Sequence, residues 1–173
     1  MKFNQTATPH PMKFTVLTAI LITLFITNLE AQQISFSGTW SRNTEKCNAG
    51  DLSINSIPVE ITVKQDGPQI VISRTSKNKQ NETITYTEKL NFDGALFSSV
   101  VKPGLNKKST IQWSADHQSL LENSSYADDQ GKKIQNKKEN WILINDSKTL
   151  QIMSIMEVDG QSYPMTEVYD INK

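Results

Sequence analysis

The chain is short of the side chains that most often do chemistry: 173 residues hold one cysteine and two histidines. A single Cys47 excludes an internal disulfide. With only Lys46 beside it as a basic neighbour, Cys47 has nothing to stabilise a thiolate and reads as structural. His10 lies in an N-terminal apolar leader, which leaves His117, in the turn Ser114-Ala115-Asp116-His117, as a base without a partner. Nucleophilic catalysis generally wants a positioned base, and a zinc site wants three or four ligands. No catalytic residue, metal ligand or cofactor is therefore assigned, and the chain is read as a non-enzyme. Asp128-Asp129, next to Gly131, read as solvated turn carboxylates without the ladder of oxygens that a calcium loop needs.

An excess of charge is missing too. Lys and Arg total 18, as do Asp and Glu. Nucleic-acid binding draws most of its affinity from a basic face, so the balance argues against it. The local basic concentrations, Lys107-Lys108 and Lys132 to Lys138, read as solvated strand edges. Long apolar runs are confined to Phe14 to Leu29, uncharged and preceded by Met12-Lys13. This run is short for a membrane span, which takes about 20 apolar residues. It reads as the core of a signal peptide, with cleavage expected after Ala31 in Leu29-Glu30-Ala31; an uncleaved anchor is the alternative. Residues 1–11 read as an upstream mis-start or an extended n-region. No cysteine stands near the cleavage point to carry a lipid anchor. The expected organisation is a leader over 1–31 and one domain over 32–173, secreted or periplasmic, with no stable membrane insertion after cleavage.

What the remaining chain does have is a period of two with regular punctuation. Val59, Ile61 and Val63 alternate with polar residues, Asp66-Gly67-Pro68 turns the chain, and Ile70 and Ile72 resume the pattern. Ile84, Tyr86, Leu90 and Phe92 share a face of the next strand with Glu88, and Asp93-Gly94 is expected to close a hairpin onto Ala95 to Val101, because both turn residues tolerate positive φ. Pro103-Gly104 breaks that strand. Ser109 to Trp113, Ser119 to Tyr126, Ile134 to Ile144, Thr149 to Val158 and Gln161 to Ile171 follow between short polar turns. Thr44 to Ile57 has room for a turn of helix. About ten strands predict an all-β domain: a single antiparallel up-and-down barrel of 8–10 strands, whose closure removes exposed edges, or alternatively an open sandwich.

The opening Phe36-Ser37-Gly38-Thr39-Trp40, followed by Asn43-Thr44-Glu45-Lys46, and the closing Glu167-Val168-Tyr169-Asp170 resemble the first and last strands of calycins. The rhythm between them is most similar to small exported bacterial lipocalin-like domains, and more distantly to the fatty-acid-binding proteins. The resemblance implies a lipocalin-like barrel in which Gly38 and Trp40 are structural, the Trp filling one end. It also implies an Arg-x-Tyr on the last strand that grips a ligand carboxylate. Here that position reads Glu167-Val168-Tyr169, and a Glu repels a carboxylate, so only Tyr169 is matched.

Two functions follow. A barrel of this size encloses room for a small apolar or amphipathic ligand with a few orienting polar groups. The candidate ligand-binding residues are Arg74, Tyr86, Glu88 and Tyr169, with Arg74 and Glu88 expected together at the cavity mouth; an exposed or rim ion pair without a ligand is the plainer reading of those two. Met153, Met156 and Met165 read as core filling or as an adaptable lining. The alternative function is a packed barrel acting as a protein-interaction or inhibitor module.

Overall fold

A computed structural model describes residues 34–78 and 80–172; the expected leader lies outside them. Ten antiparallel strands form one sheet: β1 (Gly38–Arg42), β2 (Glu60–Asp66), β3 (Gln69–Lys77), β4 (Thr83–Asn91), β5 (Phe97–Lys102), β6 (Leu105–Trp113), β7 (Ser119–Ala127), β8 (Lys133–Ile144), β9 (Thr149–Val158) and β10 (Gln161–Ile171). The strand order is β4-β3-β2-β1-β10-β9-β8-β7-β6-β5, so first and last strands pair, with Trp40 opposite Ile171 and Arg42 opposite Tyr169.

The sheet curls into a barrel rather than opening into a sandwich. Six strand intervals separate β3 from β7, which in a flat sheet would be roughly 29 Å. Yet Arg74 on β3 lies 2.6 Å from Glu122 on β7 and 2.8 Å from Glu139 on β8. The expected up-and-down barrel is what the chain forms.

One expected hairpin is not there. β4 and β5 are the two edges of the sheet and share no ladder. Of Asp93-Gly94, only Gly94 takes positive φ, at 75°. A tight turn of this kind requires both residues in that region. Asp93 instead accepts from the amide of Ala95 at 2.9 Å and bridges to Gln112 on β6, so the chain swings past β4 and β5 pairs with β6 alone. Where both residues comply, at Asp159 (φ 48°) and Gly160 (φ 78°), β9 turns tightly into β10, with Val158 opposite Gln161.

Alternation sorts the interior into two zones. Toward the end that carries the β2–β3 turn, inward residues such as Trp40, Ile61, Ile70, Leu90 and Ile111 are 0–1% exposed. Trp113 packs against Phe36 and Phe92 at centroid separations of 5.9 and 5.2 Å and closes that end. Trp40 is anchored by its indole N–H, which donates to the Phe36 carbonyl at 3.0 Å. Gly38 has φ 152°, and a Cβ there would stand 3.5 Å from the Trp40 ring and 3.4 Å from Ile171. At the other end the connection from β1 to β2 crosses the barrel. Its one helical turn is the short 3-10 helix Ile54–Ser56, which Arg42 tethers by donating to the carbonyls of Ile54 and Ile57 at 2.8 and 2.7 Å.

Candidate functional site

Between the apolar zone and the open end, the inward positions turn ionic. Arg74 donates to Glu88 (2.9 Å), Glu122 (2.6 Å) and Glu139 (2.8 Å). Lys107 bridges Glu88 (2.8 Å) and Glu122 (2.7 Å), and Lys137 bridges Glu139 (2.6 Å) and Glu167 (2.7 Å). Hydroxyls and an indole complete the shell: Tyr169 Oη donates to Glu167 at 2.7 Å, Trp141 Nε1 to Glu139 at 3.0 Å, and Ser124 to Glu122 at 3.1 Å. None of these charged residues is more than 7% exposed.

The register explains why the partners are needed. Glu122 and Glu139 stand directly opposite one another in the β7–β8 ladder, an arrangement of like charges that is destabilising on its own. Arg74 reaches across the barrel and places one Nη2 between them. Glu88 has a second role, because it receives Ser99 of β5 at 3.3 Å and Ser109 of β6 at 3.3 Å as well as Lys107. The unpaired seam between β4 and β5 is thus bridged by side chains around one carboxylate.

Burial opposes the charges of Arg74, Glu88, Lys107, Lys137 and Glu139, and their pairing overcomes it. Desolvation would push the Glu139 carboxyl up, but Lys137, Arg74 and Lys107 hold it well below the ordinary carboxylate range. The same contest, with Lys107 and Arg74 as the cations, leaves Glu88 lowered. Lys107 and Lys137 resist deprotonation beyond an ordinary lysine, and Arg74 beyond an ordinary arginine, because neighbouring carboxylates outweigh burial. Burial, then the adjoining Glu167, pushes the Tyr169 phenol up.

Above the belt, a cavity of about 530 Å³ opens at the barrel's end. Arg74, Lys137 and Glu139 form its charged floor; Ile84, Leu105, Met156 and Val158 supply apolar wall, with Leu52 and Pro58 from the β1–β2 connection at the mouth. Tyr86, Tyr126 and Gln135 also face it. A groove of about 750 Å³ on the outside of the barrel, beside β5 and the β7–β8 turn, is lined largely by outward polar residues such as Lys108, Ser125 and Asn136.

Of the residues singled out from sequence, Arg74 and Tyr86 line the cavity, while Glu88 (0% exposed) and Tyr169 (0%) lie below it among the ion pairs. The Arg74–Glu88 pair is buried rather than at the rim, because β3 and β4 direct it inward beneath Ile84, with Arg74 opposite Tyr86 and Glu88 one inward position deeper. The lysine clusters require a similar correction. Lys107 (1% exposed) and Lys137 (7%) point into the barrel, while Lys108 and Lys138 face solvent. Adjacent strand residues take opposite faces, so each cluster is split. The signal was present in the shared faces Lys107-Ser109-Ile111-Trp113 and Lys137-Glu139-Trp141. Met156 lines the cavity, Met165 is buried, and Met153 and Ile155 are exposed on the outside of β9. His117 packs beside Trp113 at a centroid distance of 6.3 Å, at the closed end. Cys47 is half-buried, and its thiol is pushed up by that burial.

No protein-family model and no curated protein matches the chain. Among solved structures, the zebrafish ileal bile-acid-binding protein complexed with cholic acid is similar over 79% of this chain and 98% of its own, with 10% sequence identity and a TM-score of 0.47.

Proposed function

We propose that this chain is an exported, non-catalytic lipocalin-like protein that holds a small apolar or amphipathic molecule in the open end of its barrel. The observation that carries the reading is the end-on cavity of about 530 Å³ with apolar walls and a few convergent polar groups. That size and lining are those of small-molecule sites, usually 300–1,000 Å³. A wholly packed interior would have favoured the interaction-module alternative. Export rests on the leader sequence, and the non-catalytic role on the absence of a positioned nucleophile and base in the sequence.

Native mass spectrometry of the chain purified from its own host tests the reading directly. A stoichiometric small molecule, released on denaturation, is the expected result. A bare chain that also fails to take up a neutral polarity-sensitive dye such as Nile red would overturn it. N-terminal sequencing of the same material reports on cleavage after Ala31.

A further inference from the structure

The cavity floor is ionic, but none of its charge is free. Each of the three buried cations already touches two or three carboxylates, and the carboxylates in the belt, Glu88, Glu122, Glu139 and Glu167, outnumber them by one. Among the described residues, a ligand carboxylate entering the cavity meets no spare buried cation, and a surplus of negative charge lies behind the floor. A ligand ammonium meets Arg74 and Lys137 at the floor itself, and the one carboxylate there, Glu139, is already held by both. Either charge would be desolvated without a partner, the circumstance in which burial of an ion is most unfavourable. Outside the floor, the cations lining the mouth among the described residues are Lys77 and Lys102; Lys102 is exposed, and Lys77 donates to Thr83 at 2.7 Å.

The uncharged polar groups differ. Among the described residues, the hydroxyls of Tyr86 and Tyr126 and the side-chain amide of Gln135 have no hydrogen-bond partner, and they are not sealed away from the cavity they line. They are also neighbours. The Lys107 ammonium lies 5.7 Å from both tyrosine ring centroids, and Tyr126 is directly opposite Gln135 in the β7–β8 ladder. Burial pushes the Tyr126 phenol up, so it remains a donor throughout the physiological range. Together the three offer two hydroxyls and an amide, which can donate to and accept from an uncharged head group.

Resting on the reading of the cavity as a ligand site, we propose that its ligand is an uncharged amphiphile, with a hydroxyl or carbonyl held by Tyr86, Tyr126 and Gln135 and an apolar body against Ile84, Leu105, Met156 and Val158. The belt of ion pairs below is then a selectivity element. It fixes the depth of the site and turns away charged heads on either sign.

Displacement of Nile red by three ligands with the same tail, 1-decanol, decanoate and decylammonium, at pH 7 and fixed ionic strength tests the proposal. The expected result is displacement by decanol at a concentration at least about tenfold below either charged analogue, and a rise of about tenfold in the decanol midpoint for Tyr86→Phe/Tyr126→Phe, the effect of losing two hydrogen bonds. Circular dichroism confirms that this variant is folded, and its decanol midpoint is corrected for its own Nile red affinity, measured by direct titration. Decanoate or decylammonium binding as tightly as decanol would overturn the uncharged class while leaving the cavity reading intact. An unchanged decanol midpoint in the double variant would overturn the tyrosine assignment. Failure of the folded wild-type chain to take up Nile red or decanol would overturn the cavity reading, and this inference with it.

Discussion

Replacing Arg74 by methionine isolates what the ionic belt contributes. The side chain keeps much of its volume but removes contacts to Glu88, Glu122 and Glu139. Glu88 and Glu122 retain Lys107, and Glu139 retains Lys137, so two cations are left to serve four carboxylates and the opposed Glu122–Glu139 pair loses the group between them. Removing one member of a buried pair typically costs about 3–5 kcal/mol. A domain of this size has about 5–15 kcal/mol in total, so the variant should sit near the edge of folding at pH 7. Its pH dependence is the sharper diagnostic. In the wild type, Glu88 and Glu139 are lowered in the fold, so their contribution is present above the ordinary carboxylate pKa and is lost as pH falls through the folded value. Without Arg74, burial and the surplus negative charge should raise those carboxyls. The variant should then gain stability as pH falls toward 5, where the wild type gains none. Urea unfolding followed by tryptophan fluorescence at pH 5, 6, 7 and 8 measures both slopes. Arg74→Met/Glu139→Gln restores the balance of charges and should recover at least about 1 kcal/mol, a coupling that non-interacting sites would not show. A single variant within about 1 kcal/mol of wild type at pH 7, with an unchanged pH slope, would refute the role given to the belt.

The remaining predictions concern the edges of stability, the opening strand and the seam. Cys47, Lys107, Lys137, Tyr126 and Tyr169 are all raised in the fold, so their contributions are fully present below their unfolded values, near pH 8.5 for the thiol and near pH 10 for the others, and are lost as pH rises beyond; wild-type stability should be flat from about pH 5 to 8 and fall on both sides, as urea midpoints across that range would show. Gly38→Ala should cost about 1–2 kcal/mol in urea unfolding, since φ 152° is unfavourable to an L side chain and the Trp40 ring stands 3.5 Å from the new Cβ; a neutral substitution would remove the case for glycine there. Amides of β4 that face the seam should exchange with deuterium faster than those of β9, which is paired on both sides, and equal protection would indicate that the seam is bonded through its backbone.

Ten strands were legible because each carries its own local evidence: alternation within Ile70 to Arg74 or Leu120 to Tyr126, and a turn on either side. The bounds of β9 and β10 follow directly from Asn145-Asp146 and Asp159-Gly160. Local evidence misled at Asp93-Gly94, where the residues suit a tight turn but the strands they would join are held elsewhere, β4 by β3 and β5 by β6. The ionic belt was the least legible part. Arg74 and Glu88 stand 14 positions apart on neighbouring strands and were paired from sequence. Glu122 and Glu139 stand 48 and 65 positions from Arg74, and nothing short of barrel closure brings them to it. Lys107 and Lys137 were hidden by lysine neighbours that made each look like part of a surface cluster, although the face each shares with a buried Trp or Ile was there to be read.

The seam also bears on how the chain is threaded. Every strand pairs with its neighbour in sequence except β4 with β5, and β10 pairs with β1 instead. A circular permutant that starts at β5, runs from β10 directly into β1 and ends at β4 would therefore make every ladder of this barrel between consecutive strands. Its longest-range ladder, between the first and last strands, would become a local hairpin, and the loop around Asp93-Gly94 could be cut without severing any strand. Such a chain has a lower contact order and should fold faster to the same sheet, leaving closure across Glu88 as the one step that still joins distant parts of the sequence.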